Sequence, residues 1–352
     1  MAMNISQADL RKFFLKVFKA AKVPSKIGTP VVDGLIQTSM RGVDSHGIRL
    51  MPAYINNALN GKVNLSPKIT IVKTSRSTAR LDADGTFGIA AGMVAMKHAC
   101  KLASKNGIGA VSVVNSTHFG SAAIYSLMAA ENGLIGMSFT QATPLVMPFG
   151  GTTPYLGTNP ICLAAPCEGE GPFCIDMATS TVARNKILSY REKGKPLENG
   201  WATDKDGNPT TDSNLGTWLL PLGGYKGYGL GLMVEVLCSV LTGMEFDPHL
   251  KSMYDNDPVG WKKGIGHFFI AIDIAKFQDP QVFKKRLRSL VDELRAQQPA
   301  KSFERVLVAG DPEKIAFAVR EKDGIPLTDK DVENFAGVAK KLGVRAGVLK
   351  PK

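Results

Sequence analysis

No apolar run in this 352-residue chain reaches the length of a membrane-spanning helix; the longest, from Leu230 to Leu241, is broken by Glu235 and Ser239. A membrane protein is therefore not expected. The five cysteines (Cys100, Cys162, Cys167, Cys174 and Cys238) form no CxxC pair and fall at no metal-ligand spacing, which argues against a zinc site and against a disulfide framework. Reduced thiols suit a cytoplasmic location. The stretch Met1 to Ser6 also lacks the charged and apolar regions of a signal peptide. Neither GxGxxG nor GxxxxGK[ST] occurs, so a dinucleotide or nucleotide would have to be bound without those phosphate-cradling turns. Internal repeats and low-complexity tracts are absent too.

Charge of one sign is in surplus, with 43 Lys and Arg against 31 Asp and Glu and a net charge of +12. The excess is spread along the chain without an aromatic-interleaved basic stripe, and no nucleic-acid partner is expected. Its densest cluster, Lys284-Lys285-Arg286 with Arg288, alternates helically with Val282, Phe283, Leu287, Leu290, Val291 and Leu294, the pattern of a solvated helix face. Such basicity favours small anionic ligands. Asp204-Lys205-Asp206-Gly207-Asn208 has alternating acids but lacks the terminal glutamate of a calcium loop, and reads as a hairpin turn.

Helices and strands alternate. Ser6 is a candidate N-cap for a helix carrying Leu10, Phe13, Phe14 and Val17; Pro24-Ser25 restarts a second, and Tyr54–Leu59 reads as a third. Strands are expected at 69–72, 78–81, 107–114, 161–165, 173–177, 266–272 and 306–308, and further helices at 91–105, 122–132, about 225–241 and 280–296. The fold class is α/β, shading to α+β.

The chemistry concentrates in Arg41-Gly42-Val43-Asp44-Ser45-His46-Gly47-Ile48-Arg49. An imidazole exchanges protons near neutral pH, and a guanidinium offers a carboxylate a two-pronged donor. Together they suit a small acid whose neighbouring carbon bears an exchangeable oxygen, as in 2-hydroxy and 2-oxo acids. The same residues also read as a plain turn, with Gly47 capping a helix and the arginines solvated. His118 follows a strand in Asn115-Ser116-Thr117-His118-Phe119-Gly120, where ligands often meet free backbone N–H groups, although loop histidines are commonly structural. Leu222-Gly223-Gly224-Tyr225-Lys226-Gly227 opens a helix, either as an anion seat with Lys226 or as close packing with Lys226 on the surface.

Five ordered segments, RGVDSHGIRLMPAY, STHFGSA, PFGGTTPYLGTNP, DMATSTVARNK and LLPLGGYKGYGL, give the chain a resemblance over nearly its whole length to the type-2 malate/L-lactate dehydrogenase family. That resemblance implies a non-Rossmann NAD(P)-binding domain with a mixed, largely antiparallel sheet (76–312). It also implies a helical domain built from both chain ends (1–75 with 313–352), and a homodimer. The activity it implies is hydride transfer between NAD or NADP and a small 2-hydroxy or 2-oxo acid. By resemblance His46 and His118 are the catalytic imidazoles, Ser45 and Arg49 bind substrate, and Tyr54 supports them. Asp176, Met177, Ala178 and Lys226 fall at cofactor positions, with Gly120 and Gly310 lining the same site, and no metal is implied. Many members carry arginine four residues after the motif histidine; here Leu50 stands there and arginine comes one earlier, at Arg49. Malate or lactate is the first substrate reading. Alternatives are ureidoglycolate, sulfolactate, diketogulonate, a cyclic imino acid, or a noncatalytic dinucleotide-binding protein.

Overall fold

A computed structural model describes residues 3–254 and 264–349; Met1 and Ala2, part of the N-terminal stretch read above, lie outside it. Its centre is a seven-stranded sheet built from β2 (Thr70–Lys73), β3 (Thr78–Asp82), β4 (Ile108–Ser116), β5 (Ile135–Thr140), β6 (Ile161–Ala165), β7 (Phe173–Met177) and β11 (Ile265–Ile272). The spatial order is β2-β3-β4-β11-β5-β6-β7, and only the β3–β4 pair is parallel. The sheet is thus mixed and largely antiparallel, as expected. Central β4 alternates buried Gly109, Val111 and Val113 with half-buried neighbours, so its apolar face receives α4 (Gly88–Asn106), while α5 (Ala123–Glu131) packs beside α4 over β5 and β6.

The two ends of the chain meet. β1 (Met3–Ile5) pairs antiparallel with β12 (Ile325–Leu327), while α1 (Gln7–Ala20), α2 (Ser25–Met40) and α3 (Met51–Leu59) lie close to α9 (Asp311–Asp323) and α10 (Asp329–Lys341). Ser6 caps α1 by accepting the Asp9 N–H, and Phe14 of α1 meets Phe335 of α10 edge-on at 5.3 Å. These contacts join one buried cluster that runs on through Leu35, Ile89, Val111 and Phe269. A smaller lobe holds α6 (Arg184–Glu192), a sheet of β8 (Ala202–Thr203), β9 (Pro209–Thr210) and β10 (Trp218–Leu219), and a separate core around Trp201 and Leu219. The expected hairpin is there: Asp204 Oδ1 accepts the N–H groups of Asp206 and Asn208 between β8 and β9.

Other expectations need correction. Residues 306–308 form no strand, because the Val308 N–H is taken by Asp311 Oδ2 at 2.9 Å, the first residue of α9. The apolar helix from Tyr225 is α7 (Tyr225–Glu235), which ends in a π turn over Val236–Val240 rather than running regularly to Leu241. α8 (Pro280–Arg295) forms as read and carries the basic cluster. All five cysteines are free thiols, and among the described residues no helix is long and apolar enough to cross a membrane.

Candidate active site

The turn between α2 and α3 carries His46. α2 closes at Arg41 with Gly42 in the left-handed region (φ 83°), so Gly47 is not the helix cap considered from sequence. Gly47 instead allows close approach: a Cβ there would stand 2.1 Å from Ser39 Oγ, which accepts the Ile48 N–H. Arg320 of α9 grips this turn from the far end of the chain, donating to Asp44 Oδ1 at 2.6 Å, to Asp44 Oδ2 at 2.8 Å and to the Ser39 carbonyl.

His118 sits just past the end of β4. Its ring lies nearly parallel to that of His46, with centroids 5.9 Å apart. Gly120 N–H donates to His118 Nδ1 at 3.3 Å, so Nδ1 is an acceptor and the Tyr54 hydroxyl, 2.8 Å away, also donates to it. The neutral ring therefore keeps its proton on Nε2. Burial holds this imidazole neutral and pushes its pKa down to about 3, helped by the neighbouring His46 and His267. Burial also lowers His46, but the Asp176 carboxylate works against that. Ser45 Oγ lies 3.0 Å from His46 Nδ1.

Two adjoining chambers meet at Ser45, His46, Gly120, Thr158, Pro160, Ala178 and Ala183. The larger, about 250 Å³, reaches His118, Leu50, Gln141, Arg184, Asn185 and Lys251. The smaller, about 210 Å³, is walled by Ser121, Ala122, Ala123 and Asp176, with Arg41 and Glu313 among its lining. Asp176 accepts from Ser121 Oγ at 2.7 Å and from the Ala123 N–H at 2.9 Å, which places its charge at the positive end of α5.

Of the residues anticipated from sequence, the structure gathers His46, His118, Ser45, Tyr54, Gly120, Asp176 and Ala178. Met177 is half-buried in β7 opposite Ile161. Arg49 is not brought to the chambers: its Nε lies 3.1 Å from Asp331 Oδ1 of α10, and Leu50 lines the cleft in its place. Lys226 is exposed on the first turn of α7 and lines neither chamber. Gly310 starts α9 against the backbone of Cys174 in β7, also outside both. Sequence reasoning missed Arg320, which is separated by 276 residues from its partner Asp44.

A family model described as malate/L-lactate dehydrogenase matches residues 5–336. A malate dehydrogenase of Pyrococcus abyssi is 38% identical over 97% of this chain and 96% of its own length. The ureidoglycolate dehydrogenase (NAD(+)) of Escherichia coli O157:H7 is 34% identical over 93% of each chain. The crystal structure of malate dehydrogenase from Entamoeba histolytica superposes with a TM-score of 0.92 at 32% identity, covering 99% of this chain and 100% of that one. With its motifs, its mixed sheet and its paired imidazoles, the chain belongs to the malate/L-lactate dehydrogenase family of enzymes.

Proposed function

We propose that the chain is a cytoplasmic NAD(P)-dependent oxidoreductase that interconverts a small 2-hydroxy acid, malate or lactate in the first instance, with its 2-oxo acid. The observation that carries this reading is the pair of near-parallel imidazoles lining the larger chamber, one clamped neutral and the other under the influence of a carboxylate. The smaller chamber fits a flat nicotinamide ring, because Gly120, Ser121, Ala122, Ala123, Ala178 and Ala183 offer a wall of small side chains leading to His46. Gly120, Asp176, Met177 and Ala178 would hold it, and when bound it supplies or accepts the hydride. Lys226 and Gly310 join the cofactor set on the family resemblance.

In reduction the carbonyl oxygen must gain a proton as its carbon gains hydride. His118 presents its Nε2–H to that oxygen and polarises the bond, since Nδ1 is already engaged by two donors. His46 delivers the proton, for Asp176 stabilises its imidazolium and among the described residues no corresponding carboxylate supports His118. In oxidation neutral His46 takes the proton back. The protein's part is orientation and proton transfer.

A homodimer belongs to the same proposal. It is supported by Tyr225, Met233, Val236 and Val240, which leave an exposed apolar stripe along α7 and its π turn; light scattering measures it.

The test is a panel of 2-oxo acids with NADH and NADPH, followed by nicotinamide absorbance. Turnover of at least one acid is expected, with none of the matching neutral ketone. His46→Ala and His118→Ala should each lower kcat by about a hundredfold. A chain that turns over no acid, or keeps its rate without either imidazole, refutes the reading.

A further inference from the structure

An acidic substrate entering the chamber with both imidazoles loses water from its carboxylate, and a cation there must compensate. The motif turn does not supply one. Leu50, 6% exposed, faces the chamber from the turn. Arg49 is tied outside it by Asp331, whose carboxylate is itself fixed in the capping box of α10, accepting from the N-cap Thr328 N–H at 3.0 Å and the Thr328 hydroxyl at 2.7 Å. Swinging Arg49 inward would break that pair and leave a buried carboxylate without its cation.

Arg184, on the first turn of α6, is the only guanidinium among the described residues that line this chamber. Among the described residues no aspartate or glutamate lines it, and Arg184 has no acidic partner. Lys251 stands on the same lining, but an ammonium is a point charge, whereas the planar fork of arginine matches both oxygens of a carboxylate. A cation on the wall of a catalytic chamber, with no anion beside it among the described residues, is set to meet one brought by the ligand.

We propose that Arg184 pairs with the C1 carboxylate of the substrate and is a specificity-determining residue of this site, an inference that rests on the reading of the cleft as a 2-oxo acid site. The C1 group is common to every 2-oxo acid, so loss of the guanidinium should weaken monoacids and diacids by the same factor.

The test measures KM for pyruvate and oxaloacetate, and by calorimetry the Kd of oxamate, a non-reacting mimic, in the wild-type chain, Arg184→Met and Arg184→Lys. Arg184→Met should raise both KM values and the oxamate Kd by about tenfold to a hundredfold, with partial recovery in Arg184→Lys. Unchanged oxamate affinity overturns the proposal, as does a KM rise confined to oxaloacetate, or a greater loss of oxamate binding in Arg49→Met. Oxamate binding does not need turnover. A chain that binds oxamate through Arg184 yet reduces no acid would therefore refute the catalytic reading and leave this one standing.

Discussion

Removing the Arg320 side chain as Arg320→Ala strikes the site from 274 residues beyond His46 in sequence. The guanidinium makes two hydrogen bonds to Asp44, at 2.6 and 2.8 Å, and a third to the Ser39 carbonyl; the paired side chains are only 13% and 17% exposed. Each charge-assisted bond in such a half-buried place contributes roughly 1 kcal/mol or somewhat more, and Asp44 left alone adds a desolvation cost, so about 3 kcal/mol of stability should be lost. For a chain of this size that lowers Tm by about 4 °C, read by scanning calorimetry. The catalytic effect is separate, because Asp44 precedes Ser45 and His46 and its release frees the turn that aims the imidazole. A displacement of about 1 Å costs as much as a hundredfold in rate, so kcat measured well below Tm should fall at least about tenfold. Arg320→Lys keeps the charge without the fork and should lie between. A lowered Tm with kcat within twofold of wild type would show that other contacts hold the turn, and an unchanged Tm would show that the pair contributes nothing net.

Asp176→Asn keeps an acceptor for Ser121 and Ala123 but removes the charge that raises His46, so the pH at which 2-oxo acid reduction falls off should move lower; an unmoved profile would remove Asp176 from the proton-transfer step. Tyr54→Phe leaves His118 Nδ1 with the Gly120 N–H alone, and should lower kcat about fivefold to thirtyfold for the roughly 1–2 kcal/mol lost; full activity would show that the backbone donor suffices. His118 and His267 are buried with pKa values pushed down to about 3, so below about 6.5 the unfolded chain binds protons that the fold refuses, and stability falls with pH by up to roughly 1.4 kcal/mol per unit for each imidazole until pH 3 is approached. Thermal unfolding between pH 7 and 5 checks this, and a flat Tm would contradict it.

Local chemistry was readable in the sequence and long-range pairing was not. His46 and His118 stood out because each sits beside glycines and hydroxyls within a few residues. Periodicity could not decide between Arg49 and Leu50: in the 3-10 turn Ile48–Leu50 neighbouring side chains diverge by about 120°, and only the position of Asp331 shows which one faces outward. β5 escaped notice because two polar residues hide in it, Ser138 bonded to Ser126 at 2.6 Å and Thr140 lying 2.7 Å from His267. α6 escaped for the opposite reason, since Ile187 alone is buried along it and its pattern reads as loop. The apolar triplet at 306–308 imitated a strand, but no neighbouring strand takes its backbone groups.

Two groups of the unread polar contacts lie next to the loops that line the cleft. His267 of β11 is held between Thr140, 2.7 Å from Nδ1, and Ser116, 2.8 Å from Nε2, and its ring stacks on Phe119, which lines the larger chamber. Asp247 takes the Gly157 N–H at 2.7 Å and the Asn159 amide at 2.8 Å, and lies within 3.4 Å of the Gln141 amide. Burial, with the nearby Glu235 adding to it, pushes its pKa up to about 8. These groups fasten the loops bearing Gln141, Ala142, Thr158 and Pro160 to the sheet and to the segment after α7. A buried polar group is costly unless fully bonded, so each such contact tolerates few alternative loop positions. Hydride transfer requires that restriction, because reacting atoms must be held about 3–3.5 Å apart while water is kept out. The same residues that weaken a hydrophobic reading of the core thus explain how loops rich in Gly, Pro and Thr line a cleft of fixed shape.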